Sequence, residues 1–365
     1  MTTGEVPTAR LLAWYERHRR DLPWRGSRDP WSIWVSEIML QQTRVETVVP
    51  FFVRFLDKFP NLESLAAAEE SEVLELWSGL GYYRRARQLH SAARRLHRTA
   101  AIPRSAAELD ELPGVGPYTA AAIASIAFDE VVPVLDGNVE RVLARRLGLE
   151  ADPARAAARR ELLAAAAGLL DPRRPGDSNQ ALMELGATLC TPQAPRCEAC
   201  PLAAGCRGRE SGDPARFPLA AARQRPAAEI AQWAAWIEQD GALLLVRRAA
   251  GERRMAGLWE LPLVTARGRY AAEAALATRF GGEFRLEPPS LELRHGIAAD
   301  RFLVRVARGK WQSADCLAEG PEAAFRRPDE ARGAALTGLA RKILERLAPP
   351  PATAEPVRSV RRRRE

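Results

Sequence analysis

Between Arg10 and Gly148 the apolar positions recur three and four residues apart, most clearly in WSIWVSEIMLQQTRVETVVPFFVRFL, and this spacing predicts helices. Alternating strand-type segments are missing there. Ser105 with Glu108 three residues on forms a capping box that opens a short helix ending at Pro113, and YTAAAIASIAF starts another just after Pro117. A further helix is expected through Ala181 to Leu189, ahead of a cysteine-rich run. GRESGDPARFPLAAARQRPAA then reads as a linker. Beyond it the texture changes: IAQWAAWIEQDGALLLVRR and RHGIAADRFLVRVARGKW predict strand pairs, with helices near Tyr270 to Phe280 and Ala334 to Leu347. The expected organisation is a helical domain at 1–207, a linker at 208–228, a smaller α+β domain at 229–348 and a disordered basic tail at 349–365.

The 365 residues suit two domains, and 47% apolar with 27% charged residues is a globular balance. No apolar run approaches the roughly 18 to 20 residues that a membrane helix needs, so a membrane partner is not expected. MTTGEVPTAR carries no export signal, which predicts a cytoplasmic protein. Basic and acidic residues balance at 27 each up to residue 210, and 27 against 19 beyond it produce the net charge of +8. Within the neutral part Arg84, Arg85, Arg87, Arg94, Arg95, Arg98 and Arg104 follow one another with no acid between Gly81 and Ala107, a candidate phosphate-facing stripe. A solvated face in an arginine-rich composition is the alternative, since Lys58, Lys310 and Lys342 are the only lysines.

Three features carry chemistry. Leu112-Pro113-Gly114-Val115-Gly116-Pro117 is a tight glycine turn between two helices; the backbone N–H groups of Gly114, Val115 and Gly116 with the following helix N-terminus suit a DNA phosphate, and an ordinary interhelical turn is the plainer reading. Eighteen residues beyond Tyr118 lies Asp136, where a helix restarts, a position that simple N-capping also explains. Cys190, Cys197, Cys200 and Cys206, separated by six, two and five residues, suit an iron-sulfur cluster or a four-cysteine zinc site; Cys316 stands apart.

The pairing of LPGVGPYTA with VLDGNVERV resembles the helix-hairpin-helix and Gly/Pro-Asp signature of the endonuclease III superfamily of DNA base-excision glycosylases, and the cysteine spacing resembles its 4Fe-4S loop. Within that superfamily residues 9 to 207 are most similar to the MutY adenine DNA glycosylases, through LPWR at 22–25, VSEIMLQQT at 35–43, WSGLGYY at 77–83 and NQALMELG at 179–186. The chain is thus identified as mainly α, a helix-hairpin-helix glycosylase with a 4Fe-4S loop plus a C-terminal Nudix-like α+β domain. The resemblance implies a monofunctional enzyme, bacterial and nucleoid-associated, that acts as a monomer on duplex DNA containing adenine mispaired with 8-oxoguanine or guanine. A mismatch glycosylase of different base preference and a non-catalytic damage-binding protein are the alternatives.

Cleaving an N-glycosidic bond to adenine needs a proton on the leaving base and negative charge beside an oxocarbenium-like sugar, hence two carboxyl groups of different pKa. Glu37, among Ile33, Val35, Ile38, Met39 and Leu40, is expected to be desolvated and protonated, and Asp136 at a helix start to stay ionised. The resemblance implies that Glu37 protonates the base, Asp136 stabilises the sugar cation, Tyr118 stands where lyase-competent relatives carry a lysine, and Asn138 orients water or the carboxylate. It further implies that Trp24, Arg25, Leu40, Thr43 and Glu184 surround the extruded adenine, that Gln42 and Tyr82 enter the duplex, and that Leu80 wedges beside them. Arg196 and Arg207 are expected to meet phosphate.

GALLLVRRAAGERRMAGLWELPLV resembles the Nudix-like domain with which this family reads 8-oxoguanine. Thr278 and Arg279 fall where a Nudix hydrolase needs paired metal-binding glutamates, so the domain is read as a binding module. The family's Phe-Ser-His-like loop is replaced by Arg294-His295-Gly296-Ile297-Ala298-Ala299-Asp300-Arg301, which leaves Ile297, Asp300 and Arg301 as candidates for lesion contacts.

Overall fold

A computed structural model describes residues 6–97, 101–218, 229–249, 251–252, 254–297, 300–312 and 322–349. The chain forms two compact units, Met1–Val73 with Arg84–Gln224, and Leu74–Tyr83 with Arg225–Glu365. The first unit's helices are α1 (Pro7–His18), α2 (Pro30–Leu40), α3 (Val45–Lys58), α4 (Leu62–Ala67), α5 (Glu70–Trp77, whose last residues join the second unit), α6 (Arg84–His97), α7 (Ala106–Asp110), α8 (Pro117–Phe128), α9 (Gly137–Leu147), α10 (Ala156–Ala167), α11 (Pro175–Thr188) and α12 (Arg207–Glu210). The helical reading of this part holds, and the Ser105/Glu108 capping box opens α7.

Helix α2 is buried from Trp31 to Met39, on all its faces. It starts sharply because Asp29 accepts from the N–H groups of Trp31 and Ser32, with Pro30 at the first helical position. Alanines in α8 leave room for it to be equally enclosed. A second cluster joins α1, α9, α10 and α11 through Leu11, Trp14, Val142, Leu162 and Leu185. Between α9 and α11 the spacing is set by Gly186, where a Cβ would stand 2.7 Å from the Cβ of Asn138 and 2.8 Å from its carbonyl oxygen.

The linker expectation is corrected over its first half. Arg207–Glu210 is helical and Phe217 is buried, its carbonyl accepting from Arg145 Nε at 3.1 Å, so the chain to about 218 completes the helical unit. Residues 219–228, Cys316 and the expected tail from 350 lie outside the described residues. Among the described residues no helix is long and apolar enough to cross a membrane.

The second unit has β1 (Glu229–Gln239), β2 (Ala242–Arg247), β3 (Trp259–Glu260), β4 (Leu263–Thr265), α13 (Arg269–Phe280), β5 (Glu283–Ile297), β6 (Asp300–Gln312), β7 (Ala323–Arg326), α14 (Pro328–Gly333) and α15 (Gly338–Leu347). The sheet runs β3-β2-β1-β6-β5, with β4 beside β1 and β7 beside β2. Asp240 and Gly241, both at positive φ, turn β1 into β2. Trp233, Ala235 and Ile237 pack toward α13, while Ala234 and Trp236 pack on the opposite face with residues of α15, which is why β1 reads as one continuous apolar run. Helix α15 begins later than the sequence suggests: Ala335 to Thr337 bracket Trp259 in an extended bridge, which withdraws them from the helix. Leu74–Tyr83, expected in the helical domain, groups with this unit because the Tyr83 hydroxyl donates to Leu336 O at 2.6 Å and Arg341 reaches Ser78 Oγ.

Gly186→Ala is expected to destabilise the protein by about 1 to 3 kcal/mol, because neither the Asn138 backbone nor α11 has room to yield. A urea melt against the parent chain checks this.

Candidate active site

One cavity of about 210 Å³ in the helical unit gathers residues from six places along the chain. Trp24 and Arg25 come from the segment before α2, Glu37 and Leu40 from α2, Thr43 from the turn after it, Tyr118 from α8, Asp136 and Asn138 from the start of α9, and Glu184 from α11. The structure therefore brings together the catalytic set and the adenine-surrounding set inferred from sequence. Arg20, which carried no sequence signal, and Met183, which lies in the NQALMELG stretch but with no role implied for it, also line the cavity.

Glu37 is 6% exposed. Burial pushes its carboxyl up to about 7, and the nearby Asp136 charge adds to this, while the Tyr118 hydroxyl, donating to Glu37 Oε2 at 2.7 Å, and Arg25 oppose it. The Tyr118 phenol is in turn held well above its ordinary range, by burial first and then by Glu37 and Asp136, so it remains a donor.

Asp136 sits at the N-cap of α9. One carboxylate oxygen accepts from Val139 N–H at 2.7 Å and the other from the Asn138 amide at 2.9 Å. Arg141 donates to Asn138 Oδ1 at 2.9 Å, which leaves the Asn138 NH₂ group to face the carboxylate. The same guanidinium donates to the carbonyl oxygens of Cys190 and Gly186, both at 2.8 Å, and so ties the cysteine-bearing segment to the carboxylate's partner. Asn179, fully buried in α11, accepts from Val134 N–H and donates to Val132 O, which fixes the strand-like approach to Asp136.

Glu184 contrasts with Glu37. Burial alone would raise its carboxyl, but hydrogen bonds from Arg20 and Arg25 outweigh that and hold it at about 2. The cavity thus has a carboxyl that holds its proton up to about pH 7 at one side and an arginine-paired carboxylate at another. Trp24 packs edge-on against Phe52 at 5.2 Å between centroids, which fixes the ring at the cavity wall.

Gln42 and Tyr82, the residues expected to enter a duplex, are both exposed and both hold positive φ, 58° and 51°. For non-glycine side chains that conformation stores strain of order 1 to 3 kcal/mol and marks functional turns. The expected wedge Leu80 is 5% exposed and packs inward instead. The glycine turn is also revised: Val115 N–H is used by Leu112 O at 3.1 Å, so that group closes the turn. Gly114 needs its positive φ, and a Cβ there would lie 2.6 Å from Gln88 Cβ.

The arginine stripe divides. Arg84, Arg94, Arg95 and Arg104 are exposed, Arg87 pairs with Glu70 at 2.8 Å, and Arg85 is buried at 7% exposure; Arg98 lies outside the described residues. Arg196 and Arg207, expected on phosphate, donate instead to Thr188 O and Leu147 O at the C-terminal ends of α11 and α9. Asp300, a candidate lesion contact, is paired with Arg254 at 2.8 Å, and Ile297 packs against the sheet core. Arg279 pairs with Glu252 at 3.0 Å, a cation where a metal-binding glutamate would be needed.

Cys190, Cys197, Cys200 and Cys206 line a single apolar cavity with Val142 and Leu202, and Arg145 Nη1 lies 3.4 Å from Cys190 Sγ. Burial, with the surrounding sulfurs, pushes the Cys200 thiol up to about 11. The four thiols share this lining, but among the described residues no three of them stand together in metal-binding geometry.

Residues 35–166 match the HhH-GPD superfamily of base excision DNA repair proteins. A thermostable thymine-DNA glycosylase superposes with a TM-score of 0.52 at 30% identity, covering 56% of this chain and 95% of that protein. The fold is therefore that of the helix-hairpin-helix class of base excision DNA repair proteins. An adenine DNA glycosylase of Mycolicibacterium smegmatis is 43% identical over 214 residues, 58% of this chain and 72% of the relative. That of Rattus norvegicus is 42% identical over 308 residues, 70% of this chain and 60% of the relative. The chain belongs to the adenine DNA glycosylase family. It spans about 60% of the length of the rat and mouse relatives.

Because the Tyr118 hydrogen bond favours ionised Glu37, Tyr118→Phe is expected to move the Glu37 midpoint above about 7. Infrared difference titration of the carboxyl stretch, with Glu37→Gln as the blank, reads it; a midpoint unchanged or lowered contradicts the role given to Tyr118.

Proposed function

We propose that this protein is a monofunctional glycosylase that hydrolyses the N-glycosidic bond of adenine mispaired with 8-oxoguanine or guanine in duplex DNA. The observation that carries the reading is the pair of carboxyl groups in one cavity with opposite preparation. Glu37 is desolvated, its carboxyl pushed up to about 7 so that a protonated fraction persists at neutral pH, and Asp136 is anchored by a helix N-terminus and an oriented amide. Glu37 gives its proton to the departing adenine as the bond to C1′ breaks and the electron pair leaves with the base. Asp136 faces the resulting cation, water adds at C1′ and loses its proton, and the products are free adenine and an abasic site. No lysine stands beside Glu37: Tyr118 occupies that place, which favours simple hydrolysis over strand cleavage through a Schiff base. The arginine-paired Glu184 with Trp24, Leu40 and Thr43 would shape the base pocket.

A 4Fe-4S cluster held by Cys190, Cys197, Cys200 and Cys206 fits the apolar cavity that all four thiols line. The cluster would cross-link the loop through its four thiolates. Arg145 and Arg141 hold that loop's carbonyls, and Arg141 passes the constraint to Asn138. Visible thiolate-to-iron charge-transfer absorption in the purified protein, with iron by elemental analysis, is the expected result; zinc in a colourless protein refutes the cluster.

A second reading follows from the thymine-DNA glycosylase likeness: the helical unit alone is compatible with excision of another mispaired base. Single-turnover assays on end-labelled duplexes with adenine opposite 8-oxoguanine, guanine, thymine or cytosine, and thymine opposite guanine, separate the two. Adenine release with strand breaks only after alkali is expected. Release of thymine alone supports the second reading, and no base release at all overturns both. Glu37→Gln should slow excision by about 10² to 10⁴-fold. Asp136→Asn keeps the cap on Val139 N–H and should abolish turnover with duplex binding intact.

A further inference from the structure

Helix α2 ends in an unusual way. Its last turn carries Glu37, its C-cap Gln41 is followed by Gln42 at φ 58°, and Thr43 N–H, 3.3 Å from Leu40 O, closes the turn. Carbonyls in a helix's last turn have no intrahelical partner, and their partial negative charge favours a cation. Buried Arg85 supplies it. Its Nη1 lies 2.9 Å from Ile38 O and 2.8 Å from Met39 O and also reaches Gln41 O, while Nη2 donates to Thr43 Oγ1 at 3.0 Å.

The guanidinium therefore grips the chain on both sides of Gln42, and Gln42 itself stays exposed. The Gln41 side chain adds a third hold, donating to Thr119 Oγ1 at 3.1 Å, next to Tyr118 that holds Glu37. Thr43 and Leu40, the anchors nearest the turn, line the cavity. One buried cation thus joins the exposed strained residue to the helix end that carries the acid.

We propose that Arg85 is a positioning residue for base extrusion: it fixes the strained Gln42 turn to the end of α2, so that Gln42 takes the vacated place in the duplex as the base seats against Glu37. This rests on the adenine-excision reading above. A lysine cannot reproduce the planar fork that serves both sides of the turn.

The test uses the full chain, with Arg85→Lys, Arg85→Met and Thr119→Val. Stopped-flow fluorescence of 2-aminopurine placed beside the target adenine reports unstacking. Single-turnover release is measured for adenine opposite guanine and for adenine opposite an abasic analogue, where no pair has to open. The Arg85 variants are expected to lose the fluorescence rise and to slow release from the paired substrate by on the order of 10- to 100-fold. Release opposite the abasic analogue should be slowed much less, with the Glu37 pH midpoint unmoved. Thr119→Val removes the acceptor that holds the Gln41 side chain beside the same turn, lies outside the cavity lining, leaves Arg85 in place, and should show the same selective pattern more weakly; it decides the matter if the Arg85 variants do not fold. Equal slowing on both substrates, or unchanged unstacking, overturns the proposal. A parent protein that releases no adenine refutes the excision reading itself.

Discussion

The constraint on which this molecule turns is the burial of one carboxyl group within a helix enclosed on every side. Water is excluded from Glu37 because α2 packs apolar residues all round, and the ionised form loses its solvation. Everything that follows in the cavity manages that cost. Tyr118 returns one hydrogen bond, Arg25 returns some attraction at a distance, and neither is strong enough to make Glu37 an ordinary carboxylate. Glu184, equally enclosed, is given two guanidinium groups and becomes a firmly ionised one. Two identical side chains thus differ by roughly five pKa units through their neighbours.

Buried and half-buried guanidinium groups do much of the internal bracing. Arg85 closes the end of α2, Arg141 joins the Cys190 carbonyl to Asn138, and Arg145 collects the carbonyls of Cys190, Thr191 and Pro192. In each case a planar group with five donors satisfies carbonyls that no backbone N–H reaches. An ammonium group could not span those directions. The arginine-rich composition is therefore partly structural here, and a count of positive charge overstates the surface available to phosphate.

The second unit shows the same economy on its sheet. Arg279 neutralises Glu252, Arg248 satisfies buried Glu260, and Arg254 engages Asp300. These charged groups pair with one another across its loops, strands and α13.

Much of this was legible along the chain. Helical spacing, the capping box, the Asp-Gly turn between β1 and β2 and the cysteine spacing depend on neighbours within a few residues, and these local rules fix elements and motifs without the fold. Glu37 was legible as a desolvated acid because its apolar neighbours are consecutive. What only tertiary structure decided depends on residues far apart. Arg20 reaches Glu184 across 164 positions, Arg85 turns inward from a run that reads as a charged surface, and Leu80 packs inside although its motif suggests presentation. The positive φ of Gln42 and Tyr82, and the recruitment of Leu74–Tyr83 to the second unit, belong to the same class. Sequence sets what a segment prefers; which long side chain satisfies which buried carbonyl or carboxylate is set by packing, because only the folded chain brings donor and acceptor within hydrogen-bonding distance.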